Sequence, residues 1–402
     1  MTAAVVTGIG VLAPTGVGVE DYWSAALDGR TGIGPVTRFD ASGYPARLAG
    51  EVTGFEAGEH LSKRLLPQTD RMTRMALVAS DWALADAGVD PRERTDFDMG
   101  VVTASSSGGF EFGQRELAKL WSHGPDHVSA YQSFAWFYAV NTGQISIRHG
   151  MRGRNGVLVT EQAGGLDAVG QARRQIRDGV GLVVSGGVDG SLCPWGWVAQ
   201  LSNTRLSHHD DPRRAYLPFD ADASGYVPGE GGAILVIENG EQARSRGVGY
   251  GEIAGYASTF DAGPGADGEP GLRRALTLAL ADAGIDSSEV DVVFADGAGV
   301  PELDLAEARA INDVFGRGGV PVTVPKTATG RLYSGGAALD LAAALLTIRH
   351  GVIPPTVNVS GPAPGYDLDL VTGAARRLSV RTAVVLARGY GGFNAAMVLR
   401  AW

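Results

Sequence analysis

The stretch VLVTEQAGGLD, residues 157–167, decides how this chain is read. Its apolar, largely β-branched run, Val157 to Thr160, has the composition of a buried strand. The run stops at Glu161-Gln162-Ala163-Gly164-Gly165, and a helical pattern starts at Leu166. A tight strand-to-helix corner puts the side chain at its apex against a helix N-terminus. Unpaired N–H groups and the helix dipole favour negative charge there. A thiol in that place has a lowered pKa and becomes a nucleophile. The apex residue here is Gln162, and a carboxamide is not a useful nucleophile. The frame of a covalent-catalysis site surrounds an inert residue.

The 402 residues are enough for two domain-sized units. Hydrophobic residues make up 44% and charged residues 19%, so a large core is affordable and disorder is excluded. Gly is 59 of 402, about twice the usual ~7% share, with no repeating run. That points to tight turns and close backbone packing. A net charge of −10 argues against nucleic acid or an anionic membrane as partner. The single Cys193 excludes internal disulfides and cysteine-based metal sites. The chain opens on strand-like AAVVTGIGVLAP, without a basic n-region or a long apolar segment, which points to a cytoplasmic protein.

Residues 3–7 read as a strand. Gly8-x-Gly10-x-x-Ala13 superficially matches a dinucleotide fingerprint, but Pro14 and a second glycine turn stand where the helix should start. Val19–Leu27 reads as a short helix, residues 40–59 as loop, and residues 71–87 as an amphipathic helix closed by Gly88. Internal matches follow. ALADAGVD at 83–90 returns as ALADAGID at 279–286, each ending a helix and leading into an apolar strand. Leu166-Asp167 opens a helix ending IRDGV, and Leu339-Asp340 opens one ending IRHGV. Gly231-Gly232 and Gly391-Gly392 each turn into a strand. Three matches in one order predict a duplicated α/β unit, with halves at 1–240 and 241–402 and mostly parallel sheets covered by helices. The first half carries an aromatic-rich insertion at about 108–153, which is either core or the lining of a pocket or partner surface.

VVTGIGVLAPTGVGVEDYW at 5–23, LPFDADASGYVPGEGGAILVIE at 217–238 and GYGGFNAAMVL at 389–399 resemble the thiolase superfamily, and within it the β-ketoacyl synthases. The resemblance covers essentially the whole chain. It implies a thiolase fold, two α/β halves in a five-layered αβαβα core, with the glycine turn at Tyr390 near the site. The family's chemistry uses a Cys at the elbow, two His and a Lys. In this chain the matching positions hold Gln162, Asp296 (in FADGA), Lys326 (in VPKTATG) and Arg331 (in GRLYSGG). Gln162 forms no thioester. An ionised Asp296 cannot donate to an oxyanion and repels a malonyl carboxylate. Arg331 stays protonated and is no neutral base.

This pattern is similar to the chain length factor, the ketosynthase β subunit of type II aromatic polyketide synthases. The resemblance implies a non-condensing subunit that pairs with a Cys-bearing ketosynthase α subunit and helps shape the tunnel setting polyketide length. An acyl carrier protein would engage mainly through that partner, and no cofactor or metal is implied. Residues 155–159 would pair across the dimer, and Asp296 and Arg331 would face each other as an ion pair. Phe110, Gly113 and Leu117, spaced i, i+3, i+7 on a helix, would form one stripe, either tunnel wall or plain core. With only Phe110 bulky, Gly113 without a side chain and Leu117 smaller than Phe, the tunnel would be deep, at the decaketide end of the range.

The alternative is a malonyl-carrier-protein decarboxylase supplying an acetyl primer, which needs donors for an enolate. Other candidates read as structural. Cys193 lies past the next strand in SLCPWGW, Ser105-Ser106-Ser107 lacks an elbow, and His208-His209-Asp210-Asp211 reads as a solvated loop. Lys326 reads as a structural remnant and Glu230 as a buried hydrogen-bonding residue.

Overall fold

The computed structural model describes residues 2–262 and 270–402. In the first half, strands β1 (Ala4–Ala13), β2 (Met99–Ala104), β3 (Asn155–Leu158), β4 (Leu182–Asp189) and β5 (Gly231–Asn239) alternate with helices. These helices are α1 (Val19–Leu27), α2 (Arg71–Asp86), α3 (Phe110–His123), α4 (Val140–His149), α5 (Gly164–Arg177) and α6 (Pro194–Leu201). The second half supplies β6 (Gly251–Phe260), β7 (Val292–Phe294), β8 (Pro321–Thr323), β9 (Thr382–Arg388) and β10 (Phe393–Arg400). Its main helices are α7 (Gly271–Ala283), α8 (Pro301–Phe315) and α9 (Ser334–His350).

Both halves repeat one topology. The strands lie in the order β3-β2-β4-β5-β1 and again β8-β7-β9-β10-β6, with the last-formed strand of each half antiparallel to both neighbours. The two sets join through β1 and β6 at Val5↔Glu252 and Val6↔Gly251 only. The three sequence matches fall on equivalent elements: the ends of α2 and α7, the helices α5 and α9, and the turns into β5 and β10.

The first match also performs the same contact twice. A Cβ on Gly8 would lie 2.1 Å from the Ala83 carbonyl oxygen, and one on Gly255 would lie 2.2 Å from that of Ala279. One residue on, the Ile9 N–H donates to Asp86 at 2.8 Å and the Tyr256 N–H donates to Asp282 at 2.9 Å. Gly8 and Gly10 therefore seat a helix against a strand and have no nucleotide role to explain.

Strand residues alternate between cores. In β5, Ile234 and Val236 face outward onto α2, while Ala233, Leu235 and Ile237 face the centre. In β10, Met397 and Leu399 face the centre, and Ala396 and Val398 face α7. Both faces are dry, so these strands read as continuous apolar runs. The central layer is α5 with α9, and α9 is buried from Ser334 to Thr347 without a break, as a helix between two sheets must be. The layers are thus helices, sheet, α5 with α9, sheet, helices. Among the described residues no helix is long and apolar enough to cross a membrane.

Three expectations need correction. The sheets are not mostly parallel, because β5 and β10 run antiparallel to both of their neighbours and β1 to β6. The run at 157–160 is not a buried strand in this chain. Among the described residues β3 pairs only with β2, at the sheet edge, and Val159 just past it is 44% exposed. This edge is open in the chain, and apolar composition does not by itself report strand order. Residues 40–59 are not wholly loop, because Leu48–Gly50 pairs with Ile33–Pro35 and residues Ala57–His60 form a short helix. In the insertion, Phe112 is core, while Trp121, Tyr131, Trp136, Phe137 and Tyr138 stand exposed.

Candidate functional site

The elbow begins where β3 ends. Glu161–Ala163 make one 3-10 turn, and α5 follows at Gly164. Glu161 has φ +51, left-handed backbone that a non-glycine residue adopts only when its surroundings enforce it. Gln162 is fully buried, lying against the first turn of α9, where a Cβ on Gly336 would meet its Nε2 at 2.4 Å. Neither end of its carboxamide has a hydrogen-bond partner among the described residues.

Asp296 follows β7, and Arg331 lies just ahead of α9. They form a bidentate ion pair, Nη1 to Oδ2 at 3.0 Å and Nη2 to Oδ1 at 3.1 Å, as their opposite charges led us to expect. Each Nη atom also donates to a carbonyl, those of Asp296 and Arg388, so both are fully engaged. Burial alone would raise the Asp296 carboxyl, but Arg331, with Lys326 behind it, more than offsets this and holds it below the usual carboxylate range. Glu307 accepts the N–H groups of Asp296 and Gly297 at 2.6 and 2.8 Å, and burial and the Asp296 charge push it up to about 7. Lys326 is buried, 2.5 Å from Asp340, and donates to the Ala295 carbonyl at 2.8 Å. Asp296, Lys326 and Arg331 therefore form one charge cluster. Gln162 makes no hydrogen bond to this cluster and lies against Gly336 of α9.

Beside the pair lies a cavity of about 240 Å³, lined among others by Glu161, Tyr226, Arg331, Arg388 and Tyr390. Tyr390, in the glycine turn after β9, is exposed, and its N–H donates to Glu161 Oε2 at 2.9 Å. The Arg205 guanidinium lies 4.9 Å from the Tyr390 ring centroid. Sequence reasoning missed Glu161, Arg205 and Arg388, because nothing local marks them. The cavity contains no thiol and no imidazole.

The helix expected through 110–121 is α3. Phe110 is half-buried, Gly113 buried, and Leu117 37% exposed. Phe110 stacks on Trp195 of α6 with centroids 4.6 Å apart. The space over Gly113 is already taken, since a Cβ there would lie 3.2 Å from the Trp195 ring and 3.5 Å from Trp136 Cβ. The Trp195 indole thus stands over position 113, which as a glycine fills no space of its own. Trp195 lies 82 residues downstream of Gly113, and no spacing connects them.

The remaining candidates are structural. Cys193 is buried at the start of α6, and burial pushes its thiol up to about 11. Ser105, Ser106 and Ser107 surround the buried Asp189. Glu230 takes the Arg71 guanidinium and the Val52 N–H. Asp210 pairs with Arg47 and Asp211 with Arg213.

With this geometry in place, the comparisons are direct. Residues 1–243 match the model of the β-ketoacyl synthase N-terminal domain, and residues 250–360 that of the β-ketoacyl synthase C-terminal domain. The chain is 64% identical to an actinorhodin polyketide putative beta-ketoacyl synthase 2 of Streptomyces coelicolor, over 99% of this chain and 98% of that one. It is 61% identical to the tetracenomycin polyketide synthase ketoacyl synthase beta subunit of Streptomyces glaucescens, over 98% of each. Among solved structures it resembles the ishigamide ketosynthase/chain length factor, with a TM-score of 0.90 and 30% identity over 100% of this chain and 99% of that one.

Proposed function

The chain belongs to the β-ketoacyl synthase family, and from that premise we propose that it is the non-condensing ketosynthase β subunit of an aromatic polyketide synthase. It pairs with a Cys-bearing ketosynthase and shapes the tunnel that sets chain length. The observation that carries this reading is the bidentate Asp296–Arg331 pair, which fills two positions that catalysis would need free. Condensation then belongs to the partner's thiol. This chain contributes a rigid frame, an open edge at β3 for pairing, and an aromatic wall on α3 and α6. Its acidic charge and single cysteine fit a cytoplasmic subunit that works beside an acyl carrier protein.

The wall reading takes Phe110, Gly113 and Leu117 with Trp136 and Trp195 as lining, and takes Gln162, Asp296, Lys326 and Arg331 as a degenerate site. Decarboxylation is not favoured, because both Nη atoms of Arg331 are engaged and none is left to hold an enolate. The test is co-expression with the neighbouring ketosynthase, followed by copurification and product mass. The expected result is a heterodimer making a polyketide of one length. A stable homodimer that turns over malonyl carrier protein alone would overturn the proposal.

A further inference from the structure

Helices α3 and α6 face each other across Gly113, and neither is capped by its own N-cap side chain. Gly109 precedes α3 and Cys193 precedes α6, and neither makes a side-chain cap bond. Each helix receives its missing acceptor from a neighbour. Asp70 is the N-cap of α2, and its Oδ1 accepts the Met72 N–H at 3.0 Å. Its Oδ2 accepts the N–H of Phe112, the third residue of α3, at 2.8 Å. From α3 the link passes on, since Gln114 Oε1 accepts the N–H of Trp195, the second residue of α6, at 2.6 Å. These are the N–H groups that a helix leaves unpaired at its start.

One buried carboxylate thus serves two helices, and the second helix caps a third. α2 packs on β1 and β5, so the relay indexes both wall helices to the core. The contacts it sets are close: the Phe110–Trp195 stack and the 3.2 Å approach of Trp195 to Gly113. A wall this tight transmits a small helix shift directly into tunnel width.

We propose that Asp70 and Gln114 are positioning residues for chain-length control: they fix the separation of α3 and α6, and through it the length of polyketide that the complex releases. The inference rests on the reading of this stripe as tunnel wall. Neither side chain needs to touch the chain being built.

The test uses the heterodimer with its ketosynthase and reads the distribution of product masses. Gln114→Met keeps the volume and removes the acceptor, whereas Gln114→Glu keeps an acceptor oxygen. Asp70→Asn keeps one acceptor for the α2 cap and turns a donor towards Phe112. Losing one such hydrogen bond shifts a two-state preference roughly five- to tenfold. The ratio of parent product to products differing by two-carbon units should fall by that factor in Gln114→Met and Asp70→Asn, and hold in Gln114→Glu. Leu117→Phe, on the wall itself, is the control. If it changes product length while the cap variants do not, the relay has no positioning role and the wall reading stands. If none of the variants changes length, the wall reading falls too. If the cap variants lose the ketosynthase, the caps serve assembly and the inference is overturned.

Discussion

At the residue scale, the site is defined by charges that satisfy each other. Asp296 and Arg331 are both buried, and a buried charge without its partner is far more costly than the absent pair. Arg331→Ala should therefore destabilise the subunit by about 3–5 kcal/mol, and Asp296→Ala with Arg331→Ala together by less than Arg331→Ala alone. Denaturant unfolding of the two single variants and the double measures this, and additive losses would show that the pair is not coupled. Gln162 makes the opposite case. It is fully buried with both polar atoms unpartnered among the described residues, so nothing observed gives it a chemical task. Gln162→Ala should leave most elongation intact in the complex, and a fall of several orders of magnitude in product formation would assign it one. The opposite charges at 296 and 331 were readable in sequence only because the family resemblance says that those positions converge. The grip of Glu161 on the Tyr390 N–H was not readable, because the two lie 229 residues apart.

At the element scale, the duplication was legible because it is a contact written twice. ALADAG ends α2 and α7, its alanines admit a glycine of β1 or β6, and its aspartate takes the next N–H. Helix α1 was bounded correctly, since Gly18 and Asp28 frame an apolar stripe. The edge position of β3 was not legible, because periodicity reports burial and not strand order. The Trp195 indole over Gly113 was missed for a similar reason, as α6 reaches α3 only in three dimensions. The twin contact makes a paired prediction. Gly8→Ala and Gly255→Ala each force a methyl onto a helix carbonyl, and each should cost about 1–3 kcal/mol or more. Equal losses in denaturant unfolding are expected, and tolerance at Gly255 with loss at Gly8 would mean that the second half relaxes where the first cannot.

At the scale of the whole molecule, buried acids give the subunit an unusual dependence on pH. Burial pushes Asp304 up to about 7 and Asp340 to about 6, the latter despite Lys326. Asp70 rises to about 6 for the same first reason, with Glu111 adding to it, and Glu307 stands at about 7. Each of these groups holds its proton more tightly folded than unfolded. Their contribution is fully present below the unfolded value near pH ~4 and is lost as pH rises through about 6 to 7. The acids held low by cations, such as Asp296 and Asp282, act in the other direction but only as pH falls below ~4. The two windows barely overlap, so stability of the isolated chain should decline from pH 5 to pH 7.5. Chemical denaturation at low protein concentration is the suitable measurement, because the isoelectric point of about 5.2 favours association near the lower end. Asp304 accepts the N–H groups of Phe219 and Gly299, one on each oxygen, both at 3.0 Å. Asp304→Asn should lower stability at every pH by losing one of them, yet flatten the decline, because the titrating group is gone. A wild-type chain whose stability stays level or rises across that range would show that these carboxyls are solvated in ways the packing around them does not suggest.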